Sequence, residues 1–385
     1  MGFELEGGRT NLTLTASYSD GKPLYIGDRD FAARSRTLQD QNDHESIIWG
    51  DRPVHGYTTN IMSASGEPLV LKDGMRSLNS HVAHVPVGYA GPATDNGTAF
   101  LATADKYSLA PADDVMGGKY SLLNTPTVAS FQLNVRRQFT SSIEAFVDAS
   151  RYDNRSVRIG SSQFRALTSV VLPEGPDNPF TEEVLLSVPM VGYDTNRLRD
   201  HTRSLNEQVS AGIILRLPRK WTVQGEYSLG RSNYLYQYPA EGEALTPEGM
   251  EAMTNGQFNP LRDVNLYPFD FTPYYPEDTG RFVGEMPGEE AKATLRISGR
   301  LFTLPGGPMR LAASLERREQ LTGDRVQIEF PVGGDEPSYV YNPEAGSITD
   351  SGYVELNAPL VSKANARRGL KGLDLRASYR HDTVE

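Results

Sequence analysis

The chain has no cysteine. Disulfides, thiolate metal sites and a cysteine nucleophile are therefore excluded, while the compartment stays open. Excess positive charge is also missing. Thirty-eight Lys and Arg face 49 Asp and Glu, giving a net charge of −11 and a pI near 5.2. A phosphate-binding surface needs the opposite balance, so nucleic acid is excluded as a partner. No stretch approaches the roughly 20 consecutive apolar residues of a membrane helix. Mean hydropathy is −0.46. A membrane β-barrel survives that test, because its strands are apolar on one face only. Long helical periodicities are missing, as are G-x-S-x-G, a phosphate loop and H-E-x-x-H. The opening residues MGFELEGGR have neither the charged region nor the apolar core of a signal peptide. A cytoplasmic chain, or a piece of a longer one, fits that opening.

What is present is alternation with a period of two, which places successive side chains on opposite faces of a strand. The clearest case is QVSAGIILRLPRKWTVQGEYSLGRSNY at 208–234. Val209, Ala211, Ile213 and Leu215 alternate with Gln208, Ser210, Gly212 and Ile214. After a break at Pro218, Trp221, Val223, Gly225, Tyr227 and Leu229 alternate with Thr222, Gln224, Glu226 and Ser228. The same pattern recurs in TNLTLTASYS (10–19), in a hairpin over 128–152, in another over 292–316, and in a last pair over 353–380. About nine strands result. Their arms exceed the usual length of about 5–6 residues. A short helix is expected around Phe31 to Leu38.

Connections alternate strictly between short and long. The long ones fall at approximately 20–126, 154–203, 235–289 and 320–351. A structureless loop of the first length is improbable inside a compact soluble domain, and ordinary outside a rigid scaffold that uses it for function. Short turns at one end and long loops at the other describe an outer-membrane barrel. The polar faces carry Arg136, Glu144, Arg216, Glu226, Arg296, Arg310 and Glu316. In a dry core each unpaired charge would be costly; a hydrated lumen tolerates them. The expected fold is all-β: one domain over 1–385, an antiparallel up-and-down transmembrane β-barrel segment that is incomplete.

With these elements placed, the sequence resembles a TonB-dependent outer-membrane receptor. The segments NGQFNPLRD (255–263), YVELNAPLV (353–361) and LDLRASYRHD (373–382) look like the loop and strand motifs of that family, as do the long hairpins. The resemblance implies a 22-stranded barrel filled by an N-terminal plug. It implies import of a scarce ligand (siderophore, cobalamin or oligosaccharide) with energy delivered through TonB. Nine strands cannot close such a barrel, so the chain reads as an internal fragment of an outer-membrane protein of a Gram-negative-type bacterium. Its partners would be outer-membrane lipid, a small-molecule ligand, and a plug and TonB reached through missing sequence. Alternatives are a plug-less porin, or a soluble all-β carbohydrate-binding protein or glycosidase.

Candidate site residues are few. Tyr234, Tyr236 and Tyr238 fall at alternate positions, and Tyr274 and Tyr275 close a second aromatic cluster with Tyr267, Phe269 and Phe271. These offer a stacking surface, with lumen-facing Arg296 as a polar contact. In the plainer reading the first three extend a strand through an aromatic girdle and the others pack the loop. His81 and His84 form an H-x-x-H pair without further ligands in view, and read as loop residues. Three GDR triplets, at Gly27, Gly50 and Gly323, read as turn chemistry. No sequence spacing fixes the paired carboxylates of a glycosidase. No catalytic residue, metal site or cofactor is expected. Trp221 beside Arg219 and Lys220 suits an interfacial anchor.

Overall fold

In the computed structural model the alternating segments become strands of one large antiparallel sheet. It describes residues 1–48, 52–114, 117–160, 169–192, 199–239, 248, 251–252, 257, 259–270, 280–331 and 336–385. The strands are β1 (Gly2–Leu5), β2 (Thr10–Asp20), β3 (Thr125–Gln138), β4 (Ile143–Ile159), β5 (Arg199–Leu217) and β6 (Trp221–Pro239). They continue with β7 (Arg281–Leu304), β8 (Gly307–Thr322), β9 (Arg325–Phe330), β10 (Ser338–Asn342), β11 (Ala345–Val361) and β12 (Leu373–Val384). Neighbours follow chain order from β1 to β8, then β11 and β12. A side hairpin branches off: β9 pairs with the upper part of β7, and β10 with β9. The fold is all-β and up-and-down. Among the described residues β1 and β12 end the sheet without pairing to each other, so it is open.

Three of the twelve strands lie beyond the nine read from alternation. β1 is four residues long, and β9 and β10 are only six and five. So short a run offers too few positions per face for alternation to stand out. The longer strands also outrun their apolar stretches: β4 continues to Ile159 and β6 to Pro239. There the faces mix charged and apolar residues, and cross-strand pairing holds the register.

Register fixes the two faces. One row across the sheet runs Ala145, Ile213, Gly225, Leu295, Leu315. Ile213 is 52% exposed, Leu295 49% and Leu315 63%. At the short-turn end this apolar face finishes at Leu217 and Trp221, paired across a turn whose Arg219 and Lys220 take left-handed φ values. At the long-loop end it finishes at the ion pairs Arg151–Glu207 (2.8 Å) and Arg231–Glu289 (3.1 Å). Toward β11 the charged boundary drops to Arg317–Asp350, level with Ala293 and Tyr227. Such drift follows when strands are tilted relative to the axis across which the faces change.

The main hydrophobic core lies in the long connections, not in the sheet. Ile61, Leu71, Val85, Phe100, Phe180, Leu186 and Leu261 are essentially fully buried and form one cluster. They come from the connections after β2, β4 and β6. The Phe100 and Phe180 rings lie 5.5 Å apart, and Tyr89 meets Phe100 edge-on at 5.3 Å. A small sheet in the order Ser169–Leu172, Val184–Ser187, Asn60–Ser63, Val82–His84 holds this unit together. The helix α1 (Phe31–Asn42) covers the expected site, and its Arg36 donates to the carbonyls of His55 and Leu109.

Candidate ligand-binding face

The even-numbered positions of β6 build the site. Gln224, Glu226 and Ser228 give the lower strand its polar face. Register runs unbroken upward, so Tyr234, Tyr236 and Tyr238 share that face, opposite Met286, Gly284 and Phe282. The tyrosines do extend the strand, on the side away from the apolar band. Their rings form a ladder: Tyr234 to Tyr236 is 6.0 Å, Tyr236 to Tyr238 is 5.6 Å at 14°, and Tyr238 to Phe282 is 5.1 Å. Gly284 makes this possible, since a Cβ there would lie 2.2 Å from the Tyr236 ring. The Tyr236 hydroxyl donates to Gln327 Oε1 on β9 at 3.2 Å. Tyr234 is 41% exposed. A ladder of π faces edged by hydroxyls can stack a flat or sugar-like ring while hydrogen-bonding its rim.

Phe282 was missed by sequence reasoning. Its signal was the alternation of Phe282, Gly284 and Met286 ahead of the recognised strand. Arg296 lies on the same face, opposite Gln224 and Ser314. It is ten positions along β7 from Met286, roughly 33 Å at about 3.3 Å per residue. The fold therefore does not bring Arg296 to the tyrosines. Tyr274, Tyr275 and Phe271 lie outside the described residues. Phe269 packs against the loop core, and Tyr267 is exposed.

Between these ends the polar face carries paired charges. Arg136 reaches Asp148 at 3.5 Å and Glu144 at 3.9 Å, and Asn134 donates to Asp148 at 2.7 Å. The Arg136 guanidinium sits 5.0 Å over the Phe146 ring. Phe146 fits because its neighbour is Gly212, where a Cβ would come within 2.5 Å of the ring. Thr294, between Glu226 and Glu316, is only 7% exposed.

At the long-loop end, hydrogen bonds tie the three connections into one unit. His55 Nε2 donates to buried Asp114 at 2.7 Å, which also accepts the N–H groups of Met190 (2.7 Å) and Gly117 (2.8 Å). Burial pushes the Asp114 carboxyl up, but His55 and the two N–H donors outweigh it and hold it below the usual carboxylate range. Thr59 donates to the Pro260 carbonyl at 2.8 Å, and Asn265 to that of Tyr57 at 2.9 Å. In the H-x-x-H pair, His84 lies at the end of a short strand, and its Nδ1 meets the Val85 carbonyl at 2.9 Å. Burial lowers its pKa. His81 lies 3.5 Å from Glu45. No group of three or more metal-ligating side chains occurs among the described residues.

No family model matches the chain, and no curated protein matches it. Among solved structures it is similar to one titled "Structure of the RagAB peptide transporter". The identity is 10% and the TM-score 0.42, over 100% of this chain and 43% of that one. It is also similar to the closed form of the ferric-catecholate import receptor Fiu from K12 E. coli. Here the identity is 8% and the TM-score 0.35, over 99% of this chain and 47% of that one. The chain spans less than half the length of either.

Proposed function

We propose that this chain is part of the wall of an outer-membrane β-barrel receptor that captures a scarce small molecule and imports it without chemical change. The observation that carries the reading is the height of the exposed apolar face. Trp221 to Arg231 is ten positions along β6, roughly 33 Å of strand. At a tilt of about 40° that stands about 25 Å high, the apolar band of an outer-membrane barrel. On a soluble protein a continuous face of half-exposed Leu, Ile and Tyr would drive association. In lipid it is the required surface, and the paired charges of the opposite face belong in a wet lumen.

The tyrosine ladder is the capture surface in this proposal. Its chemistry suits a ferric siderophore, a cobalamin or an oligosaccharide, each of which presents a ring face. Further strands close the barrel, a plug fills it, and TonB drives import. Titrating the detergent-solubilised barrel with one member of each class, by tyrosine fluorescence, tests the site. One class is expected to bind, and Tyr236→Ala to weaken it about tenfold, near 1.4 kcal/mol. Unchanged affinity in Tyr236→Ala would remove the ladder from the site.

A further inference from the structure

Cations of the polar face crowd together at its short-turn end. Arg136, Arg216 and Arg380 each have a carboxylate partner. At the short-turn end Lys220, Arg300, Arg310 and Arg376 line one recess of about 500 Å³. Among the described residues none of these four has an ion pair or a hydrogen bond from its side chain. Glu355 is the lone carboxylate of the lining, and it accepts the Tyr353 hydroxyl at 2.5 Å.

The placement works against the sheet. Arg300 and Arg310 are direct cross-strand partners. Asn357 stands on the other side of Arg310, with Arg376 beyond it. Like charges set opposite each other weaken strand pairing. Register also slips just beyond Arg300 and just beyond Pro359, on both sides of the recess. Irregularities of this kind re-aim the neighbouring side chains.

The geometry points to an anion-binding site at this end of the polar face, taking a small multivalent anion that carries several phosphate or carboxylate groups. Arg300 and Arg376 stand three strand spacings apart, about 14 Å, so an anion with several charged groups meets more of the four cations than one orthophosphate does. The recess is the size of a small-molecule pocket, about 300–1,000 Å³, which favours a compact polyanion over an acidic protein segment. Each guanidinium can grip two oxygens of such a group. The site is independent of the tyrosine ladder, which lies at the far end of the face.

Calorimetric titration of the full chain in detergent with sodium tripolyphosphate tests this, with citrate, orthophosphate and a poly-glutamate peptide as parallel arms. Tripolyphosphate or citrate is expected to bind, the tighter of the two giving the class, with orthophosphate at least tenfold weaker. R300Q/R310Q is expected to lose at least 30-fold in affinity, and R231Q, on the other face, to keep it. The double variant removes a repulsion, so its melting temperature without anion should equal or exceed that of the parent. If it does not fold, R376Q alone should still weaken binding severalfold. Equal affinity in the folded variants overturns the site, as does binding of poly-glutamate alone.

Discussion

Replacing Leu295 with arginine tests the facing of the whole sheet. Leu295 lies four positions above Gly299, which is level with Trp221, and six below Glu289. It therefore sits about two-fifths of the way up a band about 25 Å high, which on the proposed membrane placement is near the bilayer midplane. With half its surface exposed and Gly225 as its β6 neighbour, it has no polar group nearby in its row to receive a guanidinium. Leu295→Arg should cost roughly 2–4 kcal/mol. The control is Gln208→Arg. Gln208 is exposed on the polar face between Ser150 and Gly230, two small residues. A surface change of this kind costs within about 0.5 kcal/mol. Thr294→Arg is no such control, because Thr294 is buried despite its polar face. The assay is urea-dependent folding of the barrel into phosphocholine vesicles, read by heat-modifiable gel mobility. A gap of at least about 2 kcal/mol, near 30-fold in the folding equilibrium, is expected between Leu295→Arg and Gln208→Arg. Equal costs would refute the assignment of lipid and lumen faces.

Two further outcomes follow from close contacts. Gly284→Ala should displace the Tyr236 ring, flatten the near-ultraviolet dichroism of the coupled tyrosines and weaken ligand binding about tenfold, with strand content unchanged; an unaltered near-ultraviolet spectrum would count against the ladder. Asp114→Ala leaves His55 and two N–H donors without their acceptor, and should destabilise the loop unit by about 3–5 kcal/mol. Hydrogen exchange should then speed up in Asn60–Ser63 and Val184–Ser187 and stay slow in β5 and β6. The Asp114 carboxyl is held below the ordinary value of 3.8 in the folded state. Its contribution is therefore complete above that value and lost as pH falls through the lower, folded one. Loop protection that decays between pH 7 and 5 in the parent would contradict this.

The sheet was legible because β5 and β6 repeat one rule over about nine or ten residues on each side of their turn, and a rule that long is unlike chance. The polar face was legible too, down to the side on which Arg296 points. The loop unit was not. Its strands are two to four residues long, and its core draws single residues such as Phe100, Phe180 and Leu261 from three connections. No period links residues that meet only after the sheet has brought the hairpin tips together. The ladder was half visible: three tyrosines announced themselves by spacing, while Gly284, which makes room for one of them, carries no side chain to notice. The unpaired cations were equally silent. Sequence shows that arginines are present, and only register shows which of them face each other.

The bond from Thr59 to Pro260 joins residues about 200 positions apart, and Asn265 to Tyr57 does the same. Such contacts are slow to form, because the chain between them must be ordered first. The loop core can close only when three consecutive hairpins stand side by side in the right order. A sheet with a strand displaced would leave Phe100, Phe180 and Leu261 facing water. The unit thus depends on the order of the strands beneath it: its core closes compactly only over a correctly assembled sheet.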